Sequence, residues 1–287
     1  MKHSPQQLEV WLDSDLLEST LVGVLAHDRG QVRFEYSAGW LAGASAFPID
    51  PALPLGTGSH FPPEGQENFG IFQDSSPDRW GQTLMRRREA LMAKDEQRAP
   101  RDLHAWDFLL GVQDVTRQGA LRVRLAGTDP FLGAESLAAP PVTSLRELEA
   151  VARELSNKRI EDLDMLRRWL ALLLSPGASL GGARPKANYT ETDGSLWIAK
   201  FPAIDDERDI GAWEMVVRNL ASAARIDVTP AKAICFNGPF HTFCTRRFDR
   251  EAGKRRFYAS AMTLLSRQQS EGTSVDAGVE VRIFAAV

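Results

Sequence analysis

Hydrophobic and polar residues alternate or cluster in three short stretches near the start of the chain. A period of two along four to eight residues is typical of a strand with one buried face. Arg29-Gly30 supplies a turn between the second and third stretches, as in a hairpin. The sequence therefore predicts a β-rich beginning, with strands at Gln7 to Leu12, Ser19 to Ala26 and Val32 to Tyr36.

A helical pattern replaces this alternation in QDSSPDRWGQTLMRRREALM. Ser76 is a good N-cap, Pro77 suits the first helical position, and Asp78 favours the positive end of the helix dipole. The sequence predicts a helix that begins after Ser76 and a second one around Leu103 to Leu110.

Residues 126–142 are rich in proline, glycine and alanine and show little periodicity. Such a stretch indicates a boundary, so the chain is predicted to hold one domain over 1–125 and another over 143–287, joined by this linker. The second domain combines helices with hairpins, and the predicted fold class is α+β. Its predicted elements are helices to about Ser156 (from the capping box Ser144-x-x-Glu147), over Ile160 to Leu174 and over Asp209 to Ala224, and strands over Lys186 to Thr190, Ser195 to Phe201, Ala231 to Phe236 and His241 to Arg246.

The composition adds few constraints on function. Hydrophobic residues make up 43% and charged residues 25% of the chain, as in ordinary globular proteins. The net charge of -4 leaves direct nucleic-acid binding to a local patch. Two cysteines in 287 residues indicate reduced thiols. With no membrane-spanning run and no signal-peptide core, the expected location is the cytoplasm. The five histidines lack ligand spacing, and no metal site is predicted.

Candidate chemistry first appears in GASLGGARPKANY, from Gly177 to Tyr189. Paired glycines followed by lysines suggest a phosphate site, although the pattern is neither a Walker A motif nor GxGxxG, because Ala183 follows Gly182 where Walker A needs lysine. On spacing alone, an ordinary glycine turn is the favoured interpretation.

Two charged residues further along support the phosphate interpretation. Lys200 lies in the apolar stretch WIAKF, where an unpaired lysine would be costly to bury, and Glu214 lies in the following helix, in GAWEMVV. Protein kinases place a glycine loop over the phosphates, a lysine on a nearby strand and a glutamate on the next helix to hold that lysine. The sequence predicts a Lys200–Glu214 ion pair; alternatively, Lys200 ends its strand and reaches water.

Several motifs resemble, in order, the HipA-like serine/threonine kinases of bacterial toxin–antitoxin systems. They are FGIFQDSSPDRWGQ, AWDFLLGVQDVTRQGALR, GGARPKA, W-x-AKFP, GAWE and RRFDR, and the resemblance runs from about Leu8 to about Ser274. It implies a HipA-like amino-terminal domain, then a kinase-like small lobe and the start of a helical large lobe. It also implies ATP and magnesium as cofactors. The implied partner is an antitoxin with a helix-turn-helix domain, through which DNA is bound only indirectly.

The resemblance also assigns roles to individual residues. Ser179 matches the loop serine that the family autophosphorylates. Lys186 and Lys200 match lysine positions of the family pattern, with Lys200 expected to contact phosphate, and Glu214 matches the helix glutamate. The loop residues expected beside the phosphates are Gly181, Gly182 and Ala183. Arg247 to Arg250 matches a strand-end motif whose expected role is structural.

Two parts of the kinase pattern are missing from this sequence. A kinase needs a catalytic aspartate with an asparagine five residues on, and a second aspartate for the metal. The last asparagine here is Asn237, and only Asp249 and Asp276 follow it among aspartates. We therefore expect no catalytic loop, a truncated large lobe, weak ATP binding and little phosphoryl transfer. The alternative function is that of a non-catalytic protein that binds the antitoxin or the full-length toxin.

Overall fold

The computed structural model describes residues 6–14, 18–134, 139–156, 163–174 and 182–266. These residues form two four-stranded sheets, a two-stranded ribbon, eight α-helices and a 3-10 turn at Val142–Ser144, which agrees with the predicted α+β class. The strands are β1 Gln6–Leu12, β2 Thr20–Asp28, β3 Gln31–Tyr36, β4 Leu121–Leu125, β5 Lys186–Thr190, β6 Leu196–Lys200, β7 Ala231–Ile234, β8 Thr242–Arg246, β9 Arg250–Glu251 and β10 Lys254–Arg255. The helices are α1 Ala38–Ala42, α2 Gly70–Asp74, α3 Arg79–Asp95, α4 Ala105–Leu110, α5 Leu145–Ser156, α6 Leu163–Leu174, α7 Ile210–Ala223 and α8 Ala261–Leu264.

The first sheet is antiparallel, in the order β3-β2-β1-β4. The three strands predicted from alternation are confirmed, and so is the turn, where Arg29 and Gly30 both have positive φ. β4 was not predicted, although it pairs along all of its length with β1. One face of this sheet forms a core with aromatic residues from the loop and short helices that follow it, among them Trp40, Phe69 and Phe72.

The start of α3 differs from the prediction. Asp78, rather than Ser76, is the N-cap, and its Oδ1 accepts a 2.8 Å hydrogen bond from the Gly81 backbone. The Ser76 hydroxyl instead donates to the Phe72 carbonyl, and thereby closes the turn that ends α2. The cap predicted at Ser76 is wrong because that side chain already serves the preceding helix.

The second sheet is antiparallel as well, in the order β5-β6-β8-β7. The two predicted hairpins are confirmed, the first with Gly194 at positive φ in its turn. Ala187, Tyr189 and Ala199 face a second core built from α5, α6 and Trp80 and Leu84 of α3. Helix α3 precedes the predicted linker in sequence, yet it packs in the core of the second sheet.

Part of the predicted linker is also tied to the second sheet. The Thr190 backbone donates a 2.8 Å hydrogen bond to the Pro140 carbonyl, and Pro141 forms a parallel bridge with Thr190. The division of the chain at 126–142 stays a prediction. Among the described helices, none has the length and apolar composition needed to cross a membrane.

A buried polar cluster joins the two halves of the chain, and we call Arg247, Asp249 and Arg250 the arginine–aspartate core. Asp249 Oδ2 accepts from Arg247 at 2.5 Å, from Arg250 at 2.8 Å and from the Gly119 backbone at 2.8 Å. Arg247 also donates to the Thr116 carbonyl at 2.8 Å and to Asn188 at 2.9 Å. These contacts agree with the structural role expected of this segment.

Charge keeps Asp249 ionised in this cluster. Burial alone would raise the pKa of its carboxyl, but the charges of Arg247 and Arg250 and the hydrogen bonds to Asp249 outweigh burial. The pKa of Asp249 is therefore held well below its ordinary value of 3.8.

Candidate functional site

Lys186 and Lys200 lie directly opposite each other at one end of the second sheet. Lys186 is the first residue of β5, Lys200 is the last of β6, and the two are register partners. Directly opposed residues of antiparallel strands project from the same face, with Cβ atoms about 5 Å apart. Like charges on directly opposed residues destabilise a sheet unless each has a counter-charge. The structure supplies one carboxylate for each lysine, from two different helices.

Lys200 has the counter-charge that the sequence predicts. Its Nζ donates to Glu214 Oε2 of α7 at 2.6 Å, and the side chains of Lys200 and Glu214 are 28% and 20% exposed. The ammonium also lies 5.7 Å from the centre of the Phe243 ring. The predicted ion pair is confirmed, and it leaves the Lys200 ammonium within reach of solvent.

Helix α7 holds Glu214 in place through close contacts at its start. Asp209 caps the helix, accepting from the Ala212 backbone at 3.0 Å and from the His241 backbone at 2.9 Å. Gly211 packs so close to the chain before β8 that a Cβ there would lie 1.9 Å from the His241 carbonyl oxygen. Only a residue without a side chain allows this approach, which sets the position of α7 beside the sheet.

Lys186 has a counter-charge that the sequence analysis missed. Its Nζ donates to Asp78 Oδ2 at 2.6 Å and to the Gly182 carbonyl at 3.3 Å. The Lys186 and Asp78 side chains are 1% and 2% exposed, so this pair is buried. Asp78 lies 108 residues earlier in the chain, and no spacing rule connects the two positions.

The described end of the glycine loop lies against the same contacts. Gly182 has a φ of +96°, a conformation that favours glycine, and Gly182 and Ala183 are exposed. The Trp80 backbone donates to the Gly182 carbonyl at 3.4 Å, and the Trp80 indole donates to the Lys186 carbonyl at 3.2 Å. Five of the predicted site residues are thus placed, namely Gly182, Ala183, Lys186, Lys200 and Glu214; Ser179 and Gly181 lie outside the described residues.

A second ion pair that the sequence analysis missed stabilises the backbone at this end of the sheet. Arg184 forms a bidentate pair with Asp206, at 2.7 and 2.6 Å, and donates to the Phe201 carbonyl at 3.1 Å. The loop that enters β5 is thereby fixed to the segment that leaves β6. Lys186 and Lys200 lie next to this connection in the chain, at the start of β5 and the end of β6.

The groups at this end of the sheet that an anion could reach are the partly exposed Lys200 ammonium and the exposed backbone of Gly182 and Ala183. Ammonium and backbone N–H groups are the usual partners of phosphate oxygens. Among the described residues, no group of three or more His, Cys, Asp or Glu side chains could hold a metal.

Two family models match the chain in succession. The HipA N-terminal domain matches residues 8–104, and the HipA-like C-terminal domain matches residues 178–282. The chain is also similar to a solved structure from Shewanella oneidensis MR-1, described as the toxin–antitoxin system HipA, HipB and its operator DNA complex. That match has a TM-score of 0.56 and 18% sequence identity, and it covers 94% of this chain. At this identity, the likeness shows a shared fold.

No curated protein matches the chain. The chain spans 60% of the length of the Shewanella chain that it resembles. The two matched HipA regions follow each other in the expected order and together cover more than half of the sequence. The protein belongs to the HipA-like family.

Proposed function

We propose that this chain binds the phosphate groups of ATP beside Lys200, as the nucleotide-binding part of a HipA-like serine/threonine protein kinase. The observation that carries the proposal is the pair of opposed lysines, Lys186 and Lys200, each held by a carboxylate from a separate helix. Asp78 compensates the charge of Lys186 in the interior, whereas Lys200 stays partly exposed beside Glu214 and can contact a bound polyanion.

The contacts of Lys200 match what kinase chemistry requires of a phosphate-binding lysine. In kinases, a strand lysine neutralises the phosphates of ATP and a helix glutamate fixes its direction. Here Lys200 is on β6 and Glu214 is on the helix that follows, with their charged atoms 2.6 Å apart. In the proposed complex, Lys200 contacts phosphate oxygens, while the backbone at Gly182 and Ala183 closes over them.

Phosphoryl transfer needs more than this site. ATP supplies the phosphoryl group, and an aspartate that orients the substrate hydroxyl, together with metal ligands, completes the reaction. We assign neither part to the described residues, in which no group of three or more His, Cys, Asp or Glu side chains could hold a metal. The proposal for these residues is therefore nucleotide binding, with magnesium entering as the counter-ion of ATP.

The Lys200→Met substitution tests this proposal, because methionine keeps much of the aliphatic length and removes the charge. We expect the affinity for ATP to fall by about 10- to 100-fold, because the substitution removes a charged hydrogen bond to phosphate. Titration calorimetry with Mg·ATP measures the change. The matched control is Lys254→Met, since Lys254 is an exposed lysine in β10. Equal affinities for the wild type and Lys200→Met would contradict the proposal, as would no binding by the wild type.

We also propose that the protein acts together with a helix-turn-helix antitoxin. The support is the similar Shewanella structure, which is a complex of HipA with HipB and operator DNA. A net charge of -4 favours DNA contact through such a partner rather than directly. Size-exclusion chromatography with the Shewanella HipB, with and without operator DNA, tests this proposal. Complex formation by a chain that does not bind ATP would favour the alternative of a non-catalytic interaction protein.

A further inference from the structure

Asp78 uses its two carboxylate oxygens for two separate tasks. Oδ1 accepts from the Gly81 backbone and caps α3, whereas Oδ2 accepts from Lys186 at the candidate site. Helix α3 is thereby fixed at its first turn to the start of β5. The cap and the ion pair can be separated by substitution, because each depends on a different oxygen.

Trp80 adds two contacts from the same turn of α3. Its backbone N–H reaches the Gly182 carbonyl, and its indole N–H reaches the Lys186 carbonyl. The Lys186 ammonium completes the arrangement by donating to the Gly182 carbonyl at 3.3 Å. The described end of the glycine loop is thus held from the α3 side and from the β5 side at once.

The buried position of Lys186 makes its counter-charge necessary. Lys186 is opposite Lys200 and is 1% exposed, so solvent cannot screen its charge. The Asp78 carboxylate neutralises Lys186 and fixes the direction of its ammonium group toward the Gly182 carbonyl. Lys200 keeps its own pair with Glu214 and remains partly exposed.

We propose that Asp78 is a positioning residue of the nucleotide site, through which α3 holds Lys186 and the Gly182 backbone in the geometry that receives phosphate. This inference rests on the proposed function, and it adds that the start of α3 controls the geometry of the phosphate-binding groups. Asp78 acts through Lys186 and does not contact the nucleotide. Because coupling between two sites is reciprocal, nucleotide binding must in turn tighten the attachment of α3.

The test compares Asp78→Asn and Asp78→Glu with wild type in the full chain. Asparagine caps helices as well as aspartate does, so Asp78→Asn removes the charge at Lys186 and keeps the cap. We expect Asp78→Asn to bind Mg·ATP about tenfold more weakly, because Lys186 and the Gly182 backbone would shift from the positions that receive phosphate. We expect Asp78→Glu to recover part of this affinity. Asp102→Asn is the control, since Asp102 is exposed and lies beyond α3. Wild-type affinity in Asp78→Asn would overturn the inference.

Hydrogen exchange gives a second readout that a purely structural role would not change. We expect Mg·ATP to slow amide exchange over 79–83 in the wild type, and this effect to disappear in Asp78→Asn. If the wild type binds no ATP, the proposed function fails and this inference fails with it. If the wild type binds ATP and Mg·ATP slows exchange over 79–83 equally in Asp78→Asn, the inference alone fails and the proposed function stands.

Discussion

Asp249→Asn is expected to lower the free energy of unfolding by about 3 kcal/mol, because it leaves two arginines without their buried counter-charge. The Arg247 and Asp249 side chains are 0% and 2% exposed, so water cannot replace the lost carboxylate. The same substitution weakens the contact with the Gly119 backbone, which joins the two halves of the chain. Urea denaturation followed by circular dichroism measures the loss.

Asp205→Asn is the matched control, since Asp205 is exposed. The urea midpoint of this variant should stay at the wild-type value. Acid gives an independent check with a defined sign. The folded pKa of Asp249 lies below its ordinary value of 3.8, so its contribution to stability is present above that pH. This contribution is lost as the pH falls below 3.8 toward the folded pKa. The free energy of unfolding should therefore fall more for the wild type than for Asp249→Asn over this pH range. An equal fall in both proteins would contradict the stabilising role assigned to ionised Asp249.

Gly211→Ala is expected to destabilise the protein by about 3 kcal/mol, at the upper end of the usual cost of overpacking. The added Cβ would lie 1.9 Å from the His241 carbonyl oxygen, which belongs to the backbone and cannot rotate away. Helix α7 must then move outward from β7 and β8. Because Glu214 is on α7, the Lys200–Glu214 pair should loosen too, and ATP affinity should fall together with the melting temperature.

Gly238→Ala controls for the general effect of replacing glycine in this region. No atom lies within 4 Å of a Cβ built at Gly238, and its φ is outside the left-handed region. We expect this variant to melt at or slightly above the wild-type temperature, since alanine restricts the unfolded chain. A melting temperature of Gly211→Ala equal to that of Gly238→Ala would mean that α7 is not held by the contact at Gly211.

The parts of the site that the sequence predicts are those with a local signal. Alternation places β5 and β6, the Asp193-Gly194 turn fixes their hairpin, and an isolated lysine in an apolar strand demands a counter-charge. Glu214 follows Lys200 by 14 residues and is the acidic residue of the next helix. The ion pair could therefore be derived from the sequence before its geometry was known.

The Asp78–Lys186 pair could not be derived in this way. Its members are 108 residues apart, and Asp78 already had a sufficient local explanation near the start of a helix. The same ambiguity misplaced the cap at Ser76, because serine and aspartate are equally good caps. Strand β4 was not predicted because it has only five residues and two of them are arginines, Arg122 and Arg124. For the ion pair and for β4, the partner that decides the outcome lies far away in the chain, whereas the Ser76 side chain is engaged by the preceding helix.

The order of synthesis gives the arginine–aspartate core a further consequence. The first sheet is complete once β4 has left the ribosome, but the Thr116 and Arg117 carbonyls still await Arg247. At usual bacterial and eukaryotic elongation rates, the intervening stretch of roughly 120 residues takes about 6 to 25 s to make. During this interval, the Thr116 and Arg117 carbonyls lack their arginine donor. A chaperone or a neighbouring nascent chain can bind to them before Arg247 has been synthesised.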